Sequence, residues 1–168
     1  MVKAMSYDGD GGEVSALYRP MAEVELLVRP TSSVRFVAPG SLTSGRYGLF
    51  RWEMKPRAGG PDPHFHRTFS EAFYILEGTV ALYGGEGWVE ATAGDFLYVP
   101  EGGVHAFSNR SDEPAAMLIL FSPGTPREEY FKATAEIAVS GRKLTAEEWT
   151  ELYAKHDQYM VESPGGKP

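Results

Sequence analysis

Three of the four histidines in this chain fall in two short stretches. The first reads His64-Phe65-His66, with Glu71 five residues further on. The second is Pro100-Glu101-Gly102-Gly103-Val104-His105. Side chains at i and i+2 of a strand project from one face, so His64 and His66 can grip one ion together. Glu71 sits at an odd offset and would point away on a continuous strand. The chain must therefore turn at residues 67–70 for it to join. His105 must arrive from a neighbouring strand, launched by a turn at residues 101–103. Three imidazoles and a carboxylate, without thiolate, suit one divalent transition metal: Fe, Mn, Ni, Cu or Zn. Such a set leaves one or two positions open for water, substrate or dioxygen. A lone strand histidine is ordinarily structural; four ligand-type residues at these offsets point to a metal. His156, between Lys155 and Asp157, is read as structural or solvated.

The chemistry is narrowed by what the chain lacks. It has no cysteine, which excludes disulfides, thiolate nucleophiles and thiolate-bound metal, so any ion must be held by His, Asp or Glu. Sixteen basic against 23 acidic residues give a net charge of −7. With no Lys/Arg cluster, neither nucleic acid nor an anionic membrane is expected as a partner. Residues 1–13 lack the apolar stretch of a signal peptide, and no 18-residue apolar run occurs, so a cytoplasmic location is expected. A length of 168 residues suits one domain, and 42% hydrophobic residues rule out a wholly disordered chain.

Glycine and proline punctuate the middle of the chain in the manner of short strands joined by turns. Strands are expected over residues 24–28, 34–37, 47–54, 72–76, 79–83, 87–91, 96–99, 104–108 and 116–121. Gly84-Gly85 suits a tight hairpin, and Pro100-Glu101-Gly102-Gly103 a sharp turn. Many short strands at this spacing imply an all-β antiparallel sandwich or barrel. After Pro123 the pattern changes. Thr125-Pro126-Arg127-Glu128 offers an N-cap and a first-turn proline for a helix over residues 127–138. Thr145-Ala146-Glu147-Glu148 is a second capping box. It opens a helix over residues 146–160 with Trp149, Leu152, Tyr153, His156 and Tyr159 at helical spacing. The expected layout is a flexible segment (1–20), a β-barrel with the metal site (21–123), helices packed on it (124–162) and a disordered tail (163–168).

The two histidine stretches resemble the motifs of the cupin superfamily. The first motif is H-x-H, three or four residues, Glu, six residues, Gly; His64, His66, Glu71 and Gly78 fit it. The second is G-x5-P-x-G-x2-H-x3-N, and Gly94, Pro100, Gly102, His105 and Asn109 match each fixed position. The family's leading glycine is Ala58 here, with Gly59 and Gly60 beside it, which is read as a shifted turn. The resemblance implies a cupin-type antiparallel β-barrel (a double-stranded β-helix, or jelly roll) with two C-terminal helices. The stretch from Phe121 to Phe131 resembles the end of quercetinase-like single-barrel members, where a Pro/Gly turn leads into a helix closing the barrel mouth. That branch implies a dioxygenase cleaving a flavonol or other enolisable aromatic with O2. Glu71 would then serve as ligand and as catalytic base, the latter only if its pKa is raised. The alternatives are a non-oxidative metalloenzyme (polyketide cyclase, isomerase or decarboxylase) and a non-catalytic small-ligand binder. Similar proteins commonly form homodimers through their sheets.

Alternation sketches the pocket. Phe73 and Ile75 should share the face of Glu71, and Phe107 that of His105. Phe50, Trp52 and Met54 on one strand, and Met117, Ile119 and Phe121 on another, supply matching apolar walls. Sequence alone does not separate pocket wall from barrel core for these residues. A shortage of inward Arg or Lys argues against phosphorylated sugars.

Overall fold

The computed structural model describes residues 6–161. The expected tail at 163–168 lies outside these residues. Residues 6–20 contain no helix or strand, although Arg19 donates from its guanidinium to the carbonyls of Phe36 and Val37 at 2.7 and 2.9 Å.

The strands are β1 (Leu26–Val28), β2 (Ser32–Ala38), β3 (Gly48–Met54), β4 (His64–Phe65), β5 (Ser70–Glu77), β6 (Thr79–Tyr83), β7 (Trp88–Thr92), β8 (Phe96–Val99), β9 (Ala106–Ser108), β10 (Ala115–Ser122) and β11 (Tyr159–Met160). Every pairing is antiparallel. Six strands form one sheet in the order β1-β2-β3-β10-β5-β8, three form another as β7-β6-β9, and β11 pairs with β4. The result is an antiparallel jelly-roll β-barrel carrying two C-terminal helices. Burial alternates strictly along β3, with Phe50, Trp52 and Met54 inward, as period-two side-chain geometry requires. Met117, Ile119 and Phe121 of β10 and Phe73 and Ile75 of β5 complete the apolar interior.

Two motif residues do structural work. Gly102, at φ +81°, is the third residue of a type II turn closed by the Gly103 N–H on the Pro100 carbonyl at 2.9 Å. Asn109 donates to the carbonyls of Lys55 and Glu113 at 3.0 and 2.7 Å and accepts from Ser111, which pins the loop before β10. Ala58 is buried without difficulty. The close approach that excludes a side chain occurs at Gly60, where a Cβ would collide with the Phe107 carbonyl. The turn is shifted, as its neighbours indicate.

Helix α1 (Arg127–Ser140) buries Arg127, Phe131, Thr134 and Ala135, a single stripe at helical spacing. Phe131 enters the barrel and meets Phe50 and Trp52, each at 5.3 Å between ring centroids. Thr125 is not its N-cap; the Arg127 N–H bonds the Thr125 carbonyl instead, and the helix begins after Pro126. Helix α2 (Ala146–Lys155) opens with the expected Thr145–Glu148 capping box. It ends five residues early, because Asp157 takes a left-handed conformation (φ +53°) that no helix continues through. Tyr159 and Met160 leave the helix and pair with β4 as β11. The β6–β7 connection is a four-residue loop closed between Gly84 and Gly87, longer than the expected two-residue turn. Among the described residues no helix is long and apolar enough to cross a membrane.

Phe131→Ala should lower stability by about 3 kcal/mol or more, because it empties a ring-sized space between helix and barrel. Urea denaturation measures this; a loss below about 1 kcal/mol would show that the helix does not seal the barrel.

Candidate metal centre

Backbone pairing delivers the first two candidate ligands. His64 and His105 exchange N–H···O bonds of 3.1 and 2.9 Å in an isolated antiparallel bridge, which sets their rings 4.3 Å apart. His66 lies on the same face as His64, two residues on. The chain then turns, and Glu71 enters β5 facing inward. His64, His66, Glu71 and His105 are all buried, and one ligand atom from each lies within 4.8 Å of all the others.

The imidazoles are oriented from behind. Nδ1 of His64 donates to the Asp62 carbonyl at 2.8 Å, that of His66 to Asp157 at 2.6 Å, and that of His105 to Gly103 at 3.0 Å. With Nδ1 protonated, a neutral ring presents the Nε2 lone pair to the centre. Yet Nε2 of His66 and of His105 lie 3.1 and 2.8 Å from Glu71 Oε2. Lone pairs at that range need a cation between them, either a proton or a metal. Burial alone would lower the pKa of His105, but the Glu71 carboxylate beside it outweighs burial and raises it. Burial, followed by the charge of His105, depresses His64 to about 3, so His64 offers a free lone pair at neutral pH. Burial favours a protonated Glu71; His105 and His66 reverse this and hold the carboxyl well below the usual range. Three oriented imidazoles, an ionised carboxylate and carbonyl partners behind each ring fit a divalent metal.

The centre adjoins a cavity of about 520 Å³. His64 and Glu71 reach its wall, together with Trp52, Phe107, Ile119 and Phe121. Phe50, Met54, Phe73, Ile75 and Met117, also expected as pocket walls, do not line it. Phe131 fills the space in front of Phe50, while Phe73 backs His105 at 5.9 Å. Alternation distinguishes inward from outward, but not lining from core.

Other features escaped the sequence. The carboxylate of Asp157 accepts from the Arg67 N–H, the Thr68 N–H and the Thr68 hydroxyl, at 3.1, 2.8 and 2.7 Å. It thereby fixes the turn between His66 and Glu71, while its own carbonyl orients His66. No motif spacing reveals a partner ninety residues away. Phe69, unassigned by alternation, stacks on His66 at 4.2 Å. The expected shortage of inward cations is also corrected. Arg127, 4% exposed, and half-buried Arg29 both line the cavity. They enter from the helix and from the β1–β2 turn, outside the strands to which alternation applies. His156 stands behind the wall, its ring 5.4 Å from that of Tyr130.

Residues 50–121 match the family profile described as Cupin domain. This segment is a cupin domain. The chain also aligns with quercetin 2,3-dioxygenase of Bacillus subtilis (strain 168), 32% identical over 73 residues, covering 44% of this chain and 21% of that enzyme. The match thus spans about a fifth of the relative's length. Among solved structures, a predicted oxalate decarboxylase from Thermotoga maritima superposes with a TM-score of 0.58 at 16% identity, covering 64% of this chain and 99% of the other. The polyketide cyclase RemF from Streptomyces resistomycificus gives 0.55 at 21% identity, with 64% and 80% covered. At these identities the likeness is one of fold.

Asp157→Ala should weaken metal binding about 10- to 100-fold with the barrel intact, since it frees the turn that spaces two ligands. A chelator competition assay reads this; unchanged affinity would remove Asp157 from the centre. Acidification should release the metal. The raised pKa of His105 means that a proton occupies the site until that pKa is passed, so affinity climbs about tenfold per pH unit below it and levels above. A pH-independent affinity would show that the ion does not displace a proton from His105.

Proposed function

We propose that this protein is a metal-dependent dioxygenase that cleaves a flavonol or other enolisable aromatic substrate. The observation that carries this reading is a buried His/His/Glu/His cluster opening onto a 520 Å³ cavity walled by Trp52, Phe107, Phe121, Tyr130 and Phe131. A cavity of this size and lining takes a planar, drug-sized molecule and excludes water from it. The partial similarity to a quercetin dioxygenase supports the same reading.

A divalent metal bound by His64, His66, Glu71 and His105 would supply Lewis-acid stabilisation of a substrate enolate and redox capacity toward dioxygen. The remaining contributions come from the chain. Trp52 and Phe107, in edge contact at 5.8 Å, confine the substrate ring. Phe131 closes the far side and keeps water out. Glu71 is the group placed to take the substrate's hydroxyl proton. Its carboxyl is held low and not raised, so it accepts a proton only from a hydroxyl that the site itself has acidified.

Oxygen uptake by the metal-loaded protein with quercetin and other enolisable aromatics tests this reading. Stoichiometric uptake is expected, falling about 100-fold or more in Glu71→Gln with the fold retained. Product formed without oxygen would assign a cyclase, isomerase or decarboxylase instead. Saturable binding without product would assign a ligand-binding protein.

A further inference from the structure

Two arginines on the cavity wall have no acidic bonding partner among the described residues. The ion pairs among the described residues engage Arg51, Arg57, Arg142, Lys132 and the centre's own histidines, but neither Arg29 nor Arg127. Arg127 donates to the His156 carbonyl at 2.9 Å and to Gln158 Oε1 at 3.2 Å, and its Nε is buried without a hydrogen-bond partner. Its guanidinium lies 4.2 Å over the Tyr130 ring; burial disfavours its charge and outweighs Tyr130, Glu71 and Asp157, which favour it, the two carboxylates without bonding to it. Arg29 donates one N–H to Thr134 Oγ1 at 2.8 Å and lies 5.5 Å over Trp52. A guanidinium carries five N–H groups, so each arginine keeps donors to spare.

A buried cation without a counter-ion is costly unless something supplies one. A divalent ion on Glu71 would make the wall more positive still. The rim also carries exposed Asp62 and the Arg142–Glu148 pair, which leaves the excess positive charge at Arg29 and Arg127. We propose that the cavity takes an aromatic carboxylic acid whose carboxylate is held by Arg29 and Arg127 and not by the metal. This deepens the reading above and rests on the same cavity; among enolisable aromatics it selects those that bear a carboxylate, which a flavonol lacks. The aromatic rings of Trp52 and Tyr130 beneath the two guanidinium groups favour a planar acid over a sugar phosphate.

The test is calorimetric binding of cinnamate and its neutral isostere cinnamamide to metal-loaded and to chelator-treated protein. Wild type should prefer cinnamate by about tenfold or more, as a charge-assisted pair allows, in both metal states. Arg29→Met, at a half-buried site that tolerates the change, should reduce the preference to below about threefold, and Arg29→Lys should restore part of it. Arg127→Met should act in the same direction where near-UV circular dichroism shows a native fold. A preference that survives chelation and disappears in Arg29→Met supports the proposal even if no oxygen uptake is found. A preference that vanishes on chelation and ignores Arg29 assigns the carboxylate to the metal and overturns it. Equal affinity for the two probes, binding of neither, or equal displacement by inorganic phosphate also overturns it.

Discussion

Everything in the candidate centre depends on which nitrogen of each imidazole faces inward. Three Nδ1 atoms are tied to the carbonyls of Asp62, Asp157 and Gly103; that turns Nε2 of His66 and of His105 onto one oxygen of Glu71, with His64 grouped beside them. Such an arrangement is stable only with positive charge at its middle. The carbonyls lie in three separate turns, so the barrel must close before the centre exists. This explains why a β-fold of many short strands serves the purpose: each strand end contributes one ligand or one anchor. The single backbone bridge between His64 and His105 joins the two histidine stretches directly.

The C-terminal segment belongs to the centre as much as the barrel does. β11 adds to the short strand bearing His64, Asp157 braces the turn beyond His66, and Gln158 holds Arg127. Helix α1 carries Arg127, Tyr130 and Phe131 to the cavity in a little over one turn. The helices therefore do more than cover the barrel; they supply one wall of the cavity and part of its charge.

The cluster of candidate ligands was legible because it is largely local. His64 and His66 announce a shared face by their spacing, and Gly102 announces the turn that delivers His105. The strands carrying Phe50, Trp52, Phe73 and Met117 were equally legible from alternation and turn residues, to within a residue or two at each end. What could not be read was the contact made across long sequence separations. Asp157 looks like a solvated helix residue until the chain folds back on the Arg67–Thr68 turn. Arg127 looks like an exposed first-turn residue until Phe69, Phe121 and Tyr130 are seen around it. Tyr159 fits a helical stripe by spacing, and only the left-handed conformation at Asp157 removes it. Alternation also cannot say where a barrel stops being core and starts being pocket, because Phe131 decides that from another element.

His64 and Glu71 of the candidate centre, the aromatic wall and the two arginines line one cavity, so the proposed metal chemistry and the proposed anion recognition share it. The claim beneath all of it is that one ion sits among His64, His66, Glu71 and His105. Anomalous diffraction from crystals of the metal-loaded protein tests this most directly. A single peak about 2.0–2.2 Å from Nε2 of each histidine and from a Glu71 oxygen is the predicted result. A protein that shows no peak there, or carries its metal elsewhere with the four side chains unchanged, would contradict it.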